Sequence, residues 1–227
     1  MEDYLNRSKR DKILKFEGDL DSEKLESLLS IRPRVEKSLW KDVKMRTFIT
    51  QDNSRDELVS HVYDVTYETV QSDDNLVVID DSIVRGTTLK QSILSILDRL
   101  GPKKIVVVSS APQIRYPDCY GINMSLLEDF AAFRAAIELL KERGMESIID
   151  DTYQKCLAQK DLPDSEVKNF VKNIYAPFEA QEISDKMAEM LTPEGMKAEV
   201  KIIFQKIDDL HASAPNNTGD WYFTGNF

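Results

Sequence analysis

The chain has 227 residues, 41% of them hydrophobic and 31% charged, with 40 acidic against 30 basic side chains and a net charge of −10. That length allows one or two domains with a substantial core. The acidic balance argues against a nucleic-acid-binding face, which needs Lys and Arg to neutralise phosphates, and two cysteines cannot build a disulfide framework.

No apolar run approaches the ~18 residues of a membrane span, and Met1-Glu-Asp-Tyr-Leu5 does not read as a signal peptide. A reducing cytoplasm is the expected setting. In chain order, residues 1–38 form a charged helical or irregular lead-in, with Leu20, Leu25, Leu28 and Leu29 predicting a short helix. Pro33 stops it, because proline disfavours the helical conformation of the residue before it. Thr47-Phe-Ile-Thr50 is β-prone. Ser54 or Asp56 can cap a short helix through His61. Tyr63 to Val70 alternates apolar and polar, as a half-buried strand does.

The run Leu76-Val-Val-Ile-Asp-Asp-Ser-Ile-Val-Arg-Gly-Thr-Thr88 is the most informative in the chain. Four consecutive apolar residues predict a parallel strand buried on both faces. Asp80 and Asp81 stand where it ends, and a short loop reaches Gly86, Thr87 and Thr88 at the start of a helical pattern. Leu89, Ile93, Leu94, Leu97 and Leu100 share one helical face, and Gly101-Pro102 stops it. Ile105 to Val108 is the next strand, completing a βαβ unit expected to be right-handed. Gly121 to Met124 suggests a short strand or turn. A helix runs from Glu128 to about Leu140, with Gly144 as terminator. Residues 150–213 read as amphipathic helices broken at Pro163, Pro177 and Pro193. An aromatic tail, Asp220 to Phe227, closes the chain. There is no internal repeat and no low-complexity segment.

Ligands of open α/β sheets sit beyond the carboxyl ends of the strands. A loop entering a helix offers free N–H groups to a phosphate, and paired carboxylates suit ribose hydroxyls or magnesium. The stretch therefore reads as a cradle for a ribose 5-phosphate.

These residues match the phosphoribosyltransferase signature, which binds 5-phosphoribosyl-1-pyrophosphate (PRPP). Their wording resembles the glutamine PRPP amidotransferases, or amidophosphoribosyltransferases. Arg46-Thr-Phe-Ile49, Ser110-Ala-Pro-Gln-Ile-Arg-Tyr-Pro117, Tyr120-Gly-Ile122 and Phe223-Thr-Gly225 resemble the same family. The resemblance is good over about residues 44–125 and weakens beyond them.

It implies an α/β type I phosphoribosyltransferase fold, a Rossmann-like parallel sheet that is incomplete here, with a partial core over residues 39–150 and a helical region over 151–227. The implied PRPP-binding residues are Asp80, Asp81, Ser82, Val84, Arg85, Gly86, Thr87 and Thr88. Asp80 and Asp81 would hold the ribose hydroxyls and Mg2+. Arg46 and Thr47 would belong to a catalytic lid, although Trp40, Asp42 and Val43 replace the Lys, Arg and Tyr of the family's lid, unless Lys41 or Lys44 substitutes.

Each site residue has a plainer reading. In it the acids serve only as loop start and helix cap, the threonines as caps, Arg85 as a partner of a neighbouring element, and Arg115 and Tyr120 as structural groups. No iron–sulfur cluster is expected, since Gly219 and Tyr222 stand at the family's terminal cysteine positions, leaving Cys119 and Cys156 as core residues. His61 and His211 lack metal-ligand spacing.

The implied activity is the first step of de novo purine synthesis: PRPP, glutamine and water give phosphoribosylamine, glutamate and pyrophosphate. The family's glutaminase domain, with its N-terminal cysteine nucleophile, finds no match here. The chain is thus expected to be the C-terminal portion of a longer, homo-oligomeric enzyme, inactive or weakly active alone and subject to inhibitory purine nucleotides. The other readings are a separately encoded divergent homologue, a PRPP-binding regulator without catalysis, and a salvage phosphoribosyltransferase. No nucleic-acid or membrane partner is expected.

Overall fold

Three parallel strands in consecutive spatial order carry the fold: β3 (Asn75–Asp80), β4 (Lys104–Ser109) and β5 (Glu199–Phe204). They are numbered after a separate antiparallel pair, β1 (Leu39–Lys41) and β2 (Tyr63–Val65), in which Trp40 lies opposite Asp64. The structure, a computed structural model, describes residues 2–16, 21–32, 34–35, 39–41, 63–65, 70–118, 124–217 and 219–226. The expected strand at Thr47–Thr50, the helix through His61 and all but Met124 of the short strand or turn at Gly121–Met124 lie outside them.

Two helices precede the strands, α1 (Glu2–Leu14) and α2 (Ser22–Ser30). The leucine spacing anticipates α2, which is capped by the Asp21 carboxylate accepting from the Lys24 N–H at 2.8 Å. It ends before Pro33, as expected. α1 carries little apolar pattern, so the expectation of a single short helix missed it.

In the main sheet, Asp80 pairs in register with Ser109, and Ser109 with Phe204, so the carboxyl ends of all three strands lie side by side. Leu76, Val78, Ile105, Val107, Val200 and Ile202 face the core. Against them pack α3 (Leu94–Asp98), α4 (Ala131–Glu142), α6 (Lys172–Tyr175) and α7 (Ala180–Leu191). In α4, alanines 131, 132, 135 and 136 are fully buried and let α7 approach closely. Leu94, Leu97, Leu140, Ile183 and Met187 fill the layer between helices and sheet, each contributing roughly 1.5–3 kcal/mol by burial. Lys186 of α7 is buried too, its ammonium donating to Glu142 at 2.5 Å and Glu189 at 2.8 Å. Those bonds hold its pKa above the usual lysine range. The remaining helices are α5 (Ser147–Leu157), α8 (Ile207–Ser213) and α9 (Trp221–Thr224).

The α/β class is the one expected, with three local corrections. First, β3 is not buried on both faces: Val77 is 54% exposed and Ile79 64%. All the described packing is on the opposite face, so an apolar run alone misjudged the exposure. Second, β5 stands where amphipathic helix was expected. The β-branched Val200, Ile202 and Ile203 favour a strand, which is completed only by pairing with β4. Third, the helix after Thr88 opens with a wide π-type turn over Leu89–Ile93, closed by the Leu94 N–H donating to the Leu89 carbonyl. That turn brings Leu89 and Leu94, five residues apart, into one core; such turns recur at functional sites.

Candidate functional site

β3 delivers Asp80 to the carboxyl edge of the sheet, half-buried on the same parity as Leu76 and Val78. Its carboxylate accepts from the Asp81 N–H at 3.0 Å, and the Asp81 carboxylate accepts from the Ser82 N–H at 2.6 Å. The carbonyls of Asp80 and Asp81 accept from the N–H groups of Ser110 and Ala111, at 2.9 and 3.1 Å. The loop after β3 is thereby stitched to the loop after β4. Burial pushes the Asp80 carboxyl above the usual range, and the neighbouring Asp81 charge adds to this against the opposing hydrogen bond from the Asp81 N–H. Two adjacent carboxylates at a strand end can share hydroxyl donors or a cation.

Beyond the acids, Ile83 is buried and anchors the loop. The Val84 carbonyl accepts from the Ala131 N–H at 2.8 Å. Arg85 Nη2 donates to Asp129 Oδ2 at 2.5 Å, and Arg134 Nη2 donates to the Arg85 carbonyl at 2.9 Å. Arg85 Nε is buried without an acceptor among the described residues. Gly86 sits at φ +71°, left-handed backbone that favours glycine. Its carbonyl accepts from the Lys90 N–H at 2.9 Å, so the chain turns directly into helix. Thr87 and Thr88 are solvent-exposed in that first turn, where N–H groups lack intrahelical acceptors. Lys90 Nζ caps the far end of α7 by donating to the Met190 carbonyl at 2.8 Å.

The Ser110–Pro117 block is held from three sides. Buried Gln113 donates to the Ala180 carbonyl at 2.7 Å and the Ser184 hydroxyl at 2.8 Å, while its own carbonyl accepts from Arg115 Nε and Nη2. The Arg115 guanidinium lies 5.1 Å from the Tyr175 ring centroid, and the Tyr175 hydroxyl donates to the Arg115 carbonyl at 2.8 Å. The N–H groups of Arg115 and Tyr116 both donate to the Tyr222 carbonyl of α9. Arg115 is thus a packing and hydrogen-bonding residue of the loop.

The structure collects Asp80, Asp81, Ser82, Val84, Arg85, Gly86, Thr87 and Thr88 on one strand-to-helix loop. Arg46, Thr47, Tyr120, Cys119 and His61 lie outside the described residues. Cys156 is half-buried on α5, its thiol pushed up by burial. His211 pairs with Asp220 at 3.0 Å. Sequence reasoning missed Asp129, Arg134 and Leu191, which brace the loop. The charge of Asp129 just before a helix was a legible partner for Arg85, whereas nothing local signals Leu191. A cavity of about 1150 Å³ lies between α1 and α2, lined by Tyr4, Phe16 and charged residues of both signs; it contains none of the signature residues. Among the described residues no cluster of three or more His, Cys, Asp or Glu side chains is placed to hold a metal by itself, and no helix is long and apolar enough to cross a membrane.

No protein-family model matches the chain. Curated relatives do match over part of it. The amidophosphoribosyltransferase of Pasteurella multocida is 44% identical over 78 residues, covering 34% of this chain and 15% of that protein. The Escherichia coli amidophosphoribosyltransferase is 42% identical over 78 residues, with the same coverage. The Saccharomyces cerevisiae amidophosphoribosyltransferase is 32% identical over 136 residues, covering 56% of this chain and 26% of that protein. The matched stretch thus spans between about one-seventh and one-quarter of these relatives. Among solved structures, a glutamine PRPP amidotransferase of B. subtilis complexed with ADP and GMP overlaps at a TM-score of 0.45 and 19% identity, over 85% of this chain and 32% of that one. Over the matched stretch the chain is similar to the phosphoribosyltransferase portion of the amidophosphoribosyltransferases.

Proposed function

We propose that this chain holds the PRPP-binding part of an amidophosphoribosyltransferase, built on a type I phosphoribosyltransferase fold. One observation carries the reading. The Asp80–Thr88 loop leaves the carboxyl edge of a parallel sheet, two acids first and an exposed helix start last. That is where an α/β sheet takes a phosphorylated ligand.

In this reading the N–H groups and hydroxyls of Thr87 and Thr88, with the backbone from Ser82 through Val84 and Arg85 to Gly86, receive the 5-phosphate. Asp80 and Asp81 receive the ribose hydroxyls. The acids also fit Mg2+: two oxygen donors are few for a self-sufficient site, but magnesium usually binds one or two carboxylates and completes its shell with water and substrate phosphates. Bound there, it would offset charge on the departing pyrophosphate. Ammonia attacks C1 of the ribose as the C1–O bond to pyrophosphate breaks, through an oxocarbenium-like transition state. This chemistry asks the chain for positioning and electrostatics, with no protein nucleophile. Arg46 and Thr47 would cover the activated sugar and exclude water.

The ammonia would come from glutamine hydrolysed on the glutaminase domain of a full-length protein, in the first step of purine synthesis. The setting would be cytoplasmic, the assembly homo-oligomeric and the regulators inhibitory purine nucleotides. The chain alone would be inactive, or weakly active with added ammonia. A regulator that binds PRPP without catalysis is the second reading, favoured by Trp40, Asp42 and Val43 in the lid.

Calorimetric titration with PRPP and magnesium tests the proposal, with Asp80→Asn/Asp81→Asn as control. Saturable binding lost in the control supports it, and ammonia-dependent release of pyrophosphate then separates enzyme from regulator. Absence of binding by a folded wild-type chain overturns it.

A further inference from the structure

The loop between Asp81 and Gly86 is fastened along one side to the start of α4. Val84 accepts from the Ala131 N–H at 2.8 Å, the Arg85 side chain donates to Asp129 at 2.5 Å, and Arg134 donates to the Arg85 carbonyl at 2.9 Å. Three attachments, from Asp129 just before α4 and from Ala131 and Arg134 within it, reach two adjacent loop residues.

The Arg85–Asp129 pair is an uneconomical stability device. Both side chains are one-third exposed, so solvent screens their attraction. One nitrogen donates to Asp129, and Nε is buried without an acceptor among the described residues. A pair that strands a donor in this way gains little for the fold. What it does achieve is directional. It turns the arginine side chain toward α4 and presents the next residues, Gly86 to Thr88, at the mouth of the helix. Backbone N–H groups bind a phosphate well only if they converge before it arrives, because ordering a loop on binding weakens affinity.

We propose that Asp129 is a positioning residue for phosphate capture, acting through Arg85. The proposal rests on the reading of the loop as a ribose 5-phosphate cradle. Asp129 touches no ligand itself. It holds the loop in the shape that the phosphate requires, and Arg134 and Ala131 complete the brace. The phosphate end of the ligand is therefore the part that senses Asp129.

The test uses ribose 5-phosphate and unphosphorylated ribose as calorimetric probes of the intact chain, with far-UV circular dichroism on every variant. Asp129→Ala is expected to weaken ribose 5-phosphate binding about tenfold, the scale of one charge-assisted contact. Asp129→Glu, which keeps the charge, should stay within about threefold of wild type, and Asp129→Asn should fall between. Arg85→Ala should lose as much as Asp129→Ala, and the double variant should lose no more than either single one, because the two act as a unit. Any response to ribose should be unchanged throughout. If Asp129→Ala does not fold, hydrogen exchange on Asp129→Asn supplies the reading: the 82–88 amides should exchange faster than in wild type while those of β4 do not. Wild-type binding with an unchanged Asp129→Ala or additive losses overturns the brace alone. Failure of wild type to bind ribose 5-phosphate overturns the cradle and the brace together.

Discussion

Leu191 lies across Gly86, and a Cβ built on the glycine would come within 2.7 Å of both Leu191 Cδ1 and Cδ2. The last residue of α7 thus packs on the backbone of the signature loop. It joins a helix from late in the chain to the turn that carries Thr87 and Thr88. Glycine here answers two demands at once, the left-handed φ of +71° and the space taken by leucine.

Gly86→Ala should therefore destabilise the protein by about 2 kcal/mol or more, combining left-handed strain with overpacking. Urea unfolding measures the loss. Adding Leu191→Ala should relieve the steric part, so the double variant should fall short of the sum of the two single losses.

The two sides of the main sheet should respond unequally, the side covered by α3 and the side on which Ile79 stands. Leu94→Ala empties a fully buried position against the sheet and should cost about 2–5 kcal/mol. Ile79→Ala, on the exposed face, should cost no more than about 0.5 kcal/mol. A comparable cost at both positions in chemical denaturation would mean that the face of Val77 and Ile79 is covered in solution.

Asp80 should make stability depend on pH. Its carboxyl is raised by burial and by the Asp81 charge. The folded state therefore holds the proton more tightly than the unfolded chain, and stability falls as pH rises from the unfolded value of about 3.9 through the folded value. Asp80→Asn should raise the melting temperature at pH 7, with the gain disappearing below about pH 3.5. Thermal melts across that window read the effect. If Asp80 binds a cation, the same substitution should also abolish magnesium-dependent stabilisation, which in wild type weakens as acid protonates the carboxyl.

The tail should govern the loop after β4. The Tyr222 carbonyl receives the N–H groups of Arg115 and Tyr116 at 2.8 and 3.1 Å, the Tyr222 hydroxyl donates to Asp118, and Asn169 Nδ2 donates to the Gly225 carbonyl. Removing residues 221–227 should accelerate hydrogen exchange at Arg115 and Tyr116 at least tenfold. Tyr222→Phe, which keeps the carbonyl, should change them far less. Equal exchange in the truncated and intact chains would show that the tail does not hold this loop.

The sequence by itself determined the strand-loop-helix order of residues 75–98, the placing of two acids at a strand end and the need for glycine at position 86. These are local matters, set by apolar runs, turn chemistry and helical spacing, and a short window contains them. The helical expectation for α7 likewise came from one amphipathic pattern. Tertiary structure decided what touches that loop. The pairing of Arg85 with Asp129, the seat of Leu191 on Gly86 and the clasp of Tyr222 on Arg115 join residues 44, 105 and 107 positions apart, and no local period encodes such distances. The strand at Glu199–Phe204 belongs to the same class, since a parallel strand exists only once its partner supplies the hydrogen bonds. So does the exposure of Val77 and Ile79: an apolar run states what a strand can bury, and only the layers packed on it decide which face is buried.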